Sequence, residues 1–226
     1  MSLFPGEVLG MYGLVGAGRS ELARSILGLH SIMQGEICLR GNPVKIKSMG
    51  DALHTHRIGY VTENRKEEGL FLDFSVGKNI SSTVLVRILE RLGVINKEKE
   101  RDMASKFVDR LGIKVVDTDQ LAGTLSGGNQ QKVSVAKWLA AETNILIIDE
   151  PTVGVDVRTK AAFHELIMEL ADEGLSIILI SSDLPEIIAI SDRIMVMNNY
   201  EMVGEIENTK DYPSISRSIM ASIHSA

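Results

Sequence analysis

The chain has 226 residues, enough for one full domain and too few for two comfortable ones, with an ordinary apolar fraction of 44%. Its net charge of −6, with acidic and basic residues interleaved, excludes a nucleic-acid binder held by a broad basic field. The single cysteine, Cys38, excludes an internal disulfide and fits a reducing compartment; as a free cysteine it is expected to be buried.

In chain order, Val8 to Tyr12 is a short apolar run of strand length following Gly6-Glu7. A glycine-rich turn leads to Glu21–Leu29, which reads as a helix. Glu36 to Ile46 reads as a hairpin turning at Gly41-Asn42-Pro43, and Ile58 to Val61 as another strand. The middle of the chain is helix-rich. Val76 to Leu92 is helical in pattern, and Asn96 is placed to cap a helix running to Leu111, with Met103, Phe107 and Leu111 on one face. Ser126 to Glu142 is a third helix. Ile145–Ile148 is a fully apolar strand. Thr159–Ala171 is amphipathic, with Phe163, Leu166, Ile167 and Leu170 inward, and Leu175–Ile180 and Arg193–Met197 are further strands. Continuous apolar strands alternating with amphipathic helices imply a parallel sheet covered on both faces. No apolar run approaches the ~20 residues of a spanning helix, and Met1-Ser2-Leu3 lacks the features of a secretory leader.

Three segments carry chemistry. Gly13-Leu14-Val15-Gly16-Ala17-Gly18-Arg19-Ser20 has the spacing of a phosphate-binding loop, with Arg19 where lysine is expected. Its glycines let backbone N–H groups turn toward phosphate oxygens, the following helix points its positive end at the same anion, and Ser20 offers a hydroxyl to Mg²⁺. A dinucleotide-binding reading would need a third glycine at position 21, which is Glu21. Asp149-Glu150, ending the strand Ile145–Ile148, places two acids where ligands sit in open α/β sheets. Asp149 suits Mg²⁺, directly or through water, and Glu150 suits the polarisation of an attacking water. Finally, Leu125-Ser126-Gly127-Gly128-Asn129-Gln130 reads as a helix start, with Ser126 as cap and the glycines exposing N–H groups to an anion.

With the phosphate loop and the acid-tipped strand, this last segment resembles the signature of the ATP-binding cassette family, in a variant seen in sugar importers. The resemblance runs over nearly the whole chain. Val61-Thr62-Glu63 stands at the glutamine loop, Val153-Gly154-Val155-Asp156 at the loop that pairs across the cassette dimer, and Ile180-Ser181-Ser182-Asp183-Leu184 at the switch. The departures cluster: lysine becomes Arg19, glutamine becomes Glu63, and the switch histidine becomes Ser182. Together with Glu63-Asn64-Arg65-Lys66 they resemble the second cassette of the tandem ATPase subunits of ribose-, galactose- and xylose-type importers.

That resemblance implies an α/β fold of the P-loop NTPase, RecA-like kind: a mostly parallel sheet with a small antiparallel part. The core would cover about residues 1–71 and 141–226, with a helical signalling insertion over 72–140. It implies ATP and Mg²⁺ as ligands, held by Gly13, Gly16, Ala17, Gly18, Arg19, Ser20, Glu63 and Asp149, with Glu150 and Ser182 at the catalytic positions. Ser126, Gly127, Gly128 and Asp156 would face a second cassette, the N-terminal one of the same full-length chain. Further implied partners are integral membrane permease subunits and, indirectly, a sugar-binding protein, at the cytoplasmic face of the membrane. No nucleic acid is implied. The expected contact with the permease is at Phe71, Leu72 and Phe74. Family members usually begin with strands carrying an aromatic that stacks on adenine. Only five residues precede Gly6, so the chain reads as a fragment, and Phe4, close to the phosphate loop in sequence, is a poor substitute. Two activities are weighed, a hydrolase working at its own loop and a binding module that lends Ser126–Gly128 to a partner site, and Arg19, Glu63 and Ser182 favour the second. A soluble, non-transport cassette ATPase is a third alternative, though this chain carries no basic arm. His54, His56 and His164 read as solvated, and Trp138 as packing.

Overall fold

In the computed structural model, which describes residues 1–89 and 94–224, β1 (Val8–Gly13) is buried at every position. Its uninterrupted apolar run is what a strand covered on both faces requires. α1 (Arg19–Ile26) starts at the end of the glycine turn and stops short of Leu29, because Gly28 adopts a left-handed conformation at φ 70. The expected hairpin forms from β2 (Ile37–Leu39) and β3 (Asn42–Val44), with Leu39 opposite Asn42. Its turn is therefore Arg40-Gly41, not Gly41-Asn42-Pro43; both turn residues have positive φ, 52 and 78, as tight hairpins demand. Cys38 is exposed, against expectation. Ile37 and Leu39 are half-buried on either side of it, so strand alternation turns Cys38 to solvent. α2 (Met49–His54), unread in the sequence, is capped by the Ser48 hydroxyl, which accepts from the Asp51 N–H. His54 is exposed, and His56 is half-buried 3.9 Å from Asp51. β4 (Ile58–Val61) follows.

After a π-helical turn over Arg65–Gly69, the helix expected from Val76 is broken into α3 (Val76–Ser81) and α4 (Leu85–Ile88); Leu92 lies outside the described residues. The break falls at Ser82-Thr83, whose hydroxyls donate to backbone carbonyls, Ser82 to Asn79 at 2.8 Å and Thr83 to Lys137 at 2.6 Å. α5 (Lys97–Arg110) is capped by Asn96 as expected, with Phe107 and Leu111 buried and Met103 half-buried. α6 (Gly127–Ala140) packs on α3 and α5. Buried Asn79 ties down the loop ahead of α3: it accepts from the Phe71 N–H at 2.8 Å and donates to the Phe71 and Ser75 carbonyls. Trp138 is buried, with the Lys137 ammonium over its ring at 4.7 Å.

β5 (Ile145–Asp149), α7 (Val157–Asp172), β6 (Ser176–Ile180), α8 (Leu184–Ile190), β7 (Arg193–Asn198), β8 (Glu201–Glu207) and α9 (Tyr212–His224) complete the order. The sheet runs β4-β5-β6-β1-β7-β8. The pairs β5·β6, β6·β1 and β1·β7 are parallel, and β7·β8 is antiparallel. Leu9, Met11, Leu146, Ile147, Ile148, Ile177, Leu179 and Ile180 form its dry interior. Phe163, Leu166, Ile167 and Leu170 of α7 are buried as expected, and His164 is half-buried. Arg193 anchors the start of the chain. Its guanidinium takes both Glu7 oxygens, at 2.6 and 3.1 Å, and also pairs with Glu205.

By contact the chain forms two units. The first holds Met1–Gly59, Asn144–Glu150 and the chain from Ile167 onward; the second holds Tyr60–Thr143 and Pro151–Leu166.

Candidate phosphate-binding site

In the first unit, the loop Gly13–Ser20 connects the end of β1 to the first turn of α1. Its path depends on close approach. A Cβ on Gly13 would stand 2.6 Å from the Met197 carbonyl oxygen, so no larger residue fits. Gly18 lies at φ 97, where an L side chain is strained. Ala17 donates to the Leu14 carbonyl at 3.0 Å, closing the turn. Arg19 is buried, and Ser20 is half-buried beside it.

The acid-tipped strand reaches the same place. Asp149 is 1% exposed at the end of β5. Glu150 follows at φ 46, a left-handed backbone rare for a residue with a side chain. Its carboxylate meets two partners: Arg19 Nη2 lies 3.3 Å from one oxygen, and the Ser182 hydroxyl donates to the other at 3.2 Å. The structure thus gathers Arg19, Glu150 and Ser182 around one carboxylate. The switch segment is fixed by its own Ser181 and Asp183 together with Glu186, which sequence reading passed over. Ser181 donates to buried Glu186 at 2.5 Å and accepts from the Asp183 N–H, while Asp183 caps α8. The signal was present as Asp183-Leu184-Pro185-Glu186, an acid at the cap and another three residues on.

Arg19 Nη1 is buried with no hydrogen-bond partner. An orphaned guanidinium nitrogen at a helix N-terminus costs free energy unless an anion completes it. The residues therefore fit a polyphosphate. Asp149 and Ser20 are the oxygen donors a Mg²⁺ would require.

The other expected residues, Glu63, Ser126, Gly127, Gly128 and Asp156, belong to the second unit. Glu63 is exposed, just before the π-helical turn, and its carbonyl accepts from the Arg65 N–H at 3.0 Å. Ser126 holds the cap position of α6, but its side chain does not cap: its hydroxyl accepts from Asn129 at 2.9 Å instead. The Ser126 side chain thus takes none of the first-turn N–H groups of α6. Arg65, named in the sequence only as part of Glu63-Asn64-Arg65-Lys66, lies over this helix end, with Nη2 2.8 Å from where a Gly127 Cβ would stand. Burial pulls its guanidinium below the usual arginine range. Gly128 is tighter still, because a Cβ there would fall 2.0 Å from the Thr159 methyl carbon. Thr159 in turn donates to Asp156 through its hydroxyl at 2.6 Å and its N–H at 3.0 Å. These bonds hold the Asp156 carboxyl below the usual range.

Phe4 is indeed no part of the phosphate loop, but for another reason than its closeness in sequence. It precedes β1, whereas the loop leaves the far end of that strand, and its ring lies 5.0 Å from the Arg193 guanidinium. Among the described residues no helix is long and apolar enough to cross a membrane, and no cluster of His, Cys and acids forms a metal site.

A phosphate loop on a parallel sheet, an acid pair at the end of another strand of that sheet and an open glycine-led helix define an ATP-binding-cassette domain, and the chain belongs to the ABC transporter family, whose model matches residues 1–153. Its similar relatives are more specific. It is 46% identical over 213 residues to the ribose import ATP-binding protein RbsA 1 of Agrobacterium fabrum, covering 94% of this chain and 41% of that protein. To RbsA of Oceanobacillus iheyensis it is 46% identical over 205 residues, again covering 41% of that protein. The chain thus spans about two-fifths of the length of these relatives. Two solved structures share the fold. One is cbiO1 of Clostridium perfringens, at TM-score 0.79 and 23% identity, covering 97% of this chain and 83% of that one. The other is a nucleotide-free cassette of an ABC transporter, at TM-score 0.80 and 20% identity, covering 98% and 89%.

Proposed function

We propose that this chain is the second nucleotide-binding cassette of a tandem ATPase that drives import of ribose or a similar sugar, and that its own MgATP site is impaired. The observation that carries this reading is the Glu150 carboxylate, which is engaged by Arg19 on one oxygen and Ser182 on the other. A general base so held is poorly free to polarise water. Gly16 to Arg19 would cradle the phosphates, and Ser20 and Asp149 would hold Mg²⁺, which supplies charge neutralisation when bound.

The Ser126–Gly128 helix start, with N–H groups that the Ser126 side chain leaves open, suits a phosphate presented by the first cassette of the same protein. Residues 72–140 would be the inserted part that reports nucleotide state to permease subunits at the cytoplasmic face of the membrane. Phe71 and Phe74 support this: they are 56% and 49% exposed and stacked at 5.3 Å, an apolar surface that water does not favour. Leu72 is half-buried and suits that surface less. A working hydrolase is the second reading, favoured by the presence of both Asp149 and Glu150 at the end of β5.

The two readings separate in reconstituted tandem transporter. Ser126→Ala removes a hydrogen bond to a charged phosphate, worth about 1.5–3 kcal/mol, and so slows sugar uptake and ATPase roughly ten- to a hundredfold. Glu150→Gln, at the impaired site, slows it less. Arrest by Glu150→Gln with a mild Ser126→Ala effect would make this cassette the engine.

A further inference from the structure

Arg65 opens the π-helical turn that follows Glu63, and its guanidinium reaches the first turn of α6, with Nη2 2.8 Å from where a Gly127 Cβ would stand. That contact sets two positive features against each other. A helix start carries partial positive charge on its unsatisfied N–H groups, and a cation beside it is unfavourable. Its surroundings leave the conflict uncompensated. The first turn of α6 holds no acidic residue, and the Ser126 side chain takes none of its N–H groups. The acids of the Arg65 turn are engaged elsewhere: Glu67 accepts from Asn64 at 2.8 Å, and Glu68 from Thr62 at 3.0 Å. Asp156, bonded to the Thr159 that lies against Gly128, spends both carboxylate oxygens on Thr159. Arg65 Nε is buried without a hydrogen-bond partner. Burial lowers the guanidinium pKa, and no acid among the described residues offsets that. A charged group left short of partners costs free energy, and an anion seated between Arg65 and α6 removes both penalties at once.

We propose that Arg65 is a phosphate-binding residue: its guanidinium and the N–H groups at the start of α6 together take the terminal phosphate of a nucleotide held by the first cassette. This rests on the reading of Ser126–Gly128 as a receiver of phosphate and adds a charged side chain to it. The N–H groups of α6 supply only partial charge, whereas Arg65 supplies a full charge and a planar set of donors. Gly127 lets the two approach, because a Cβ there would meet the guanidinium. The nucleotide is bound by the other cassette first, so Arg65 meets its phosphate only when the cassettes close. Its contribution therefore falls on turnover rather than on nucleotide affinity.

The test is steady-state ATP hydrolysis by the reconstituted tandem transporter carrying Arg65→Gln, beside Ser126→Ala and the unsubstituted protein, together with urea unfolding of the chain. Arg65→Gln is expected to lower kcat about tenfold, as loss of a hydrogen bond to a charged group does, with KM for MgATP within about twofold. Orthovanadate, which stands in for the transferring phosphate, should be needed at about tenfold higher concentration for half-inhibition. The unfolding midpoint should stay unchanged or rise, because an uncompensated cation leaves the helix start. A lowered midpoint would mean that the guanidinium braces its own loop, and a loss carried by KM, or an unchanged kcat or vanadate response, would mean that it meets no phosphate on closure; each overturns the proposal. If Ser126→Ala slows turnover while Arg65→Gln does not, the helix-start reading stands without Arg65. If neither slows it, that reading falls, and this inference with it.

Discussion

The Arg19 guanidinium stands 3.3 Å from the Glu150 carboxylate, and both side chains are about nine-tenths buried. The Ser182 hydroxyl takes the remaining carboxylate oxygen at 3.2 Å. Three residues from three separate stretches of chain therefore act as one group, in which each sets the conditions for the others.

Arg19→Lys and Ser182→His are consequently expected to be non-additive in the tandem protein. A lysine ammonium is more compact and releases one side of Glu150, while a histidine releases the other and can donate to phosphate. Each change alone leaves Glu150 half engaged. The double variant should raise steady-state ATP hydrolysis at least about threefold above the product of the single effects, a modest coupling for residues in contact. Simple multiplication of the two effects, or no gain, would show that the carboxylate is not what limits this site.

Gly127 and Gly128 are adjacent but should respond differently to alanine. At Gly127 a Cβ meets only the tip of Arg65, which can swing away. At Gly128 it meets the Thr159 methyl at 2.0 Å, so α7 and α6 must part. Gly128→Ala should cost about 1–3 kcal/mol in urea unfolding, as overpacking does, and Gly127→Ala less than about 0.5 kcal/mol. Adding Thr159→Ser deletes the offending methyl and keeps the hydroxyl bonded to Asp156. The Gly128→Ala, Thr159→Ser pair should recover most of the loss; failure to recover would place the strain elsewhere.

Lys137 gives a pH signature. Burial pushes its ammonium down to about 8, while Nζ donates to the Gly69 carbonyl at 2.6 Å. Below pH 8 it is charged in both folded and unfolded chains, and its burial cost is paid in full. Between about 8 and the unfolded value of 10.5 the folded state holds fewer protons, so its contribution to stability rises with pH. Going from pH 7.5 to 9.5, the unsubstituted chain should gain about 1–2 kcal/mol over Lys137→Met in urea unfolding. Parallel pH curves for the two proteins would contradict this.

Much of the sheet was legible because its strands are unbroken apolar runs, as with Ile145 to Ile148 and Ile177 to Ile180. The Asn96 cap was legible because a polar cap ahead of a periodic segment is a local signal. α9 was not read, although Ile215, Ile219 and Ile223 repeat every four residues on its buried face; the intervening serines suggested loop. β8 sets three acids among residues that are at most half-buried and offers too little hydrophobicity to stand out. Each half of the Arg19–Glu150 pair was nameable, but not their contact, which arises from β5, β6 and β1 lying side by side.

The strand that ends the sheet also governs how this protein behaves in concentrated solution. β8 is outermost, and an outermost strand offers unpaired backbone groups to any other chain. Glu201, Glu205 and Glu207 line it and are exposed. The negative charges of Glu201 and Glu207 repel an approaching copy and keep it from extending the sheet, while Glu205 is paired with Arg193. Salt at about 1 M shortens the screening length to about 3 Å and weakens that repulsion, so concentrated-salt conditions invite edge-to-edge association through β8.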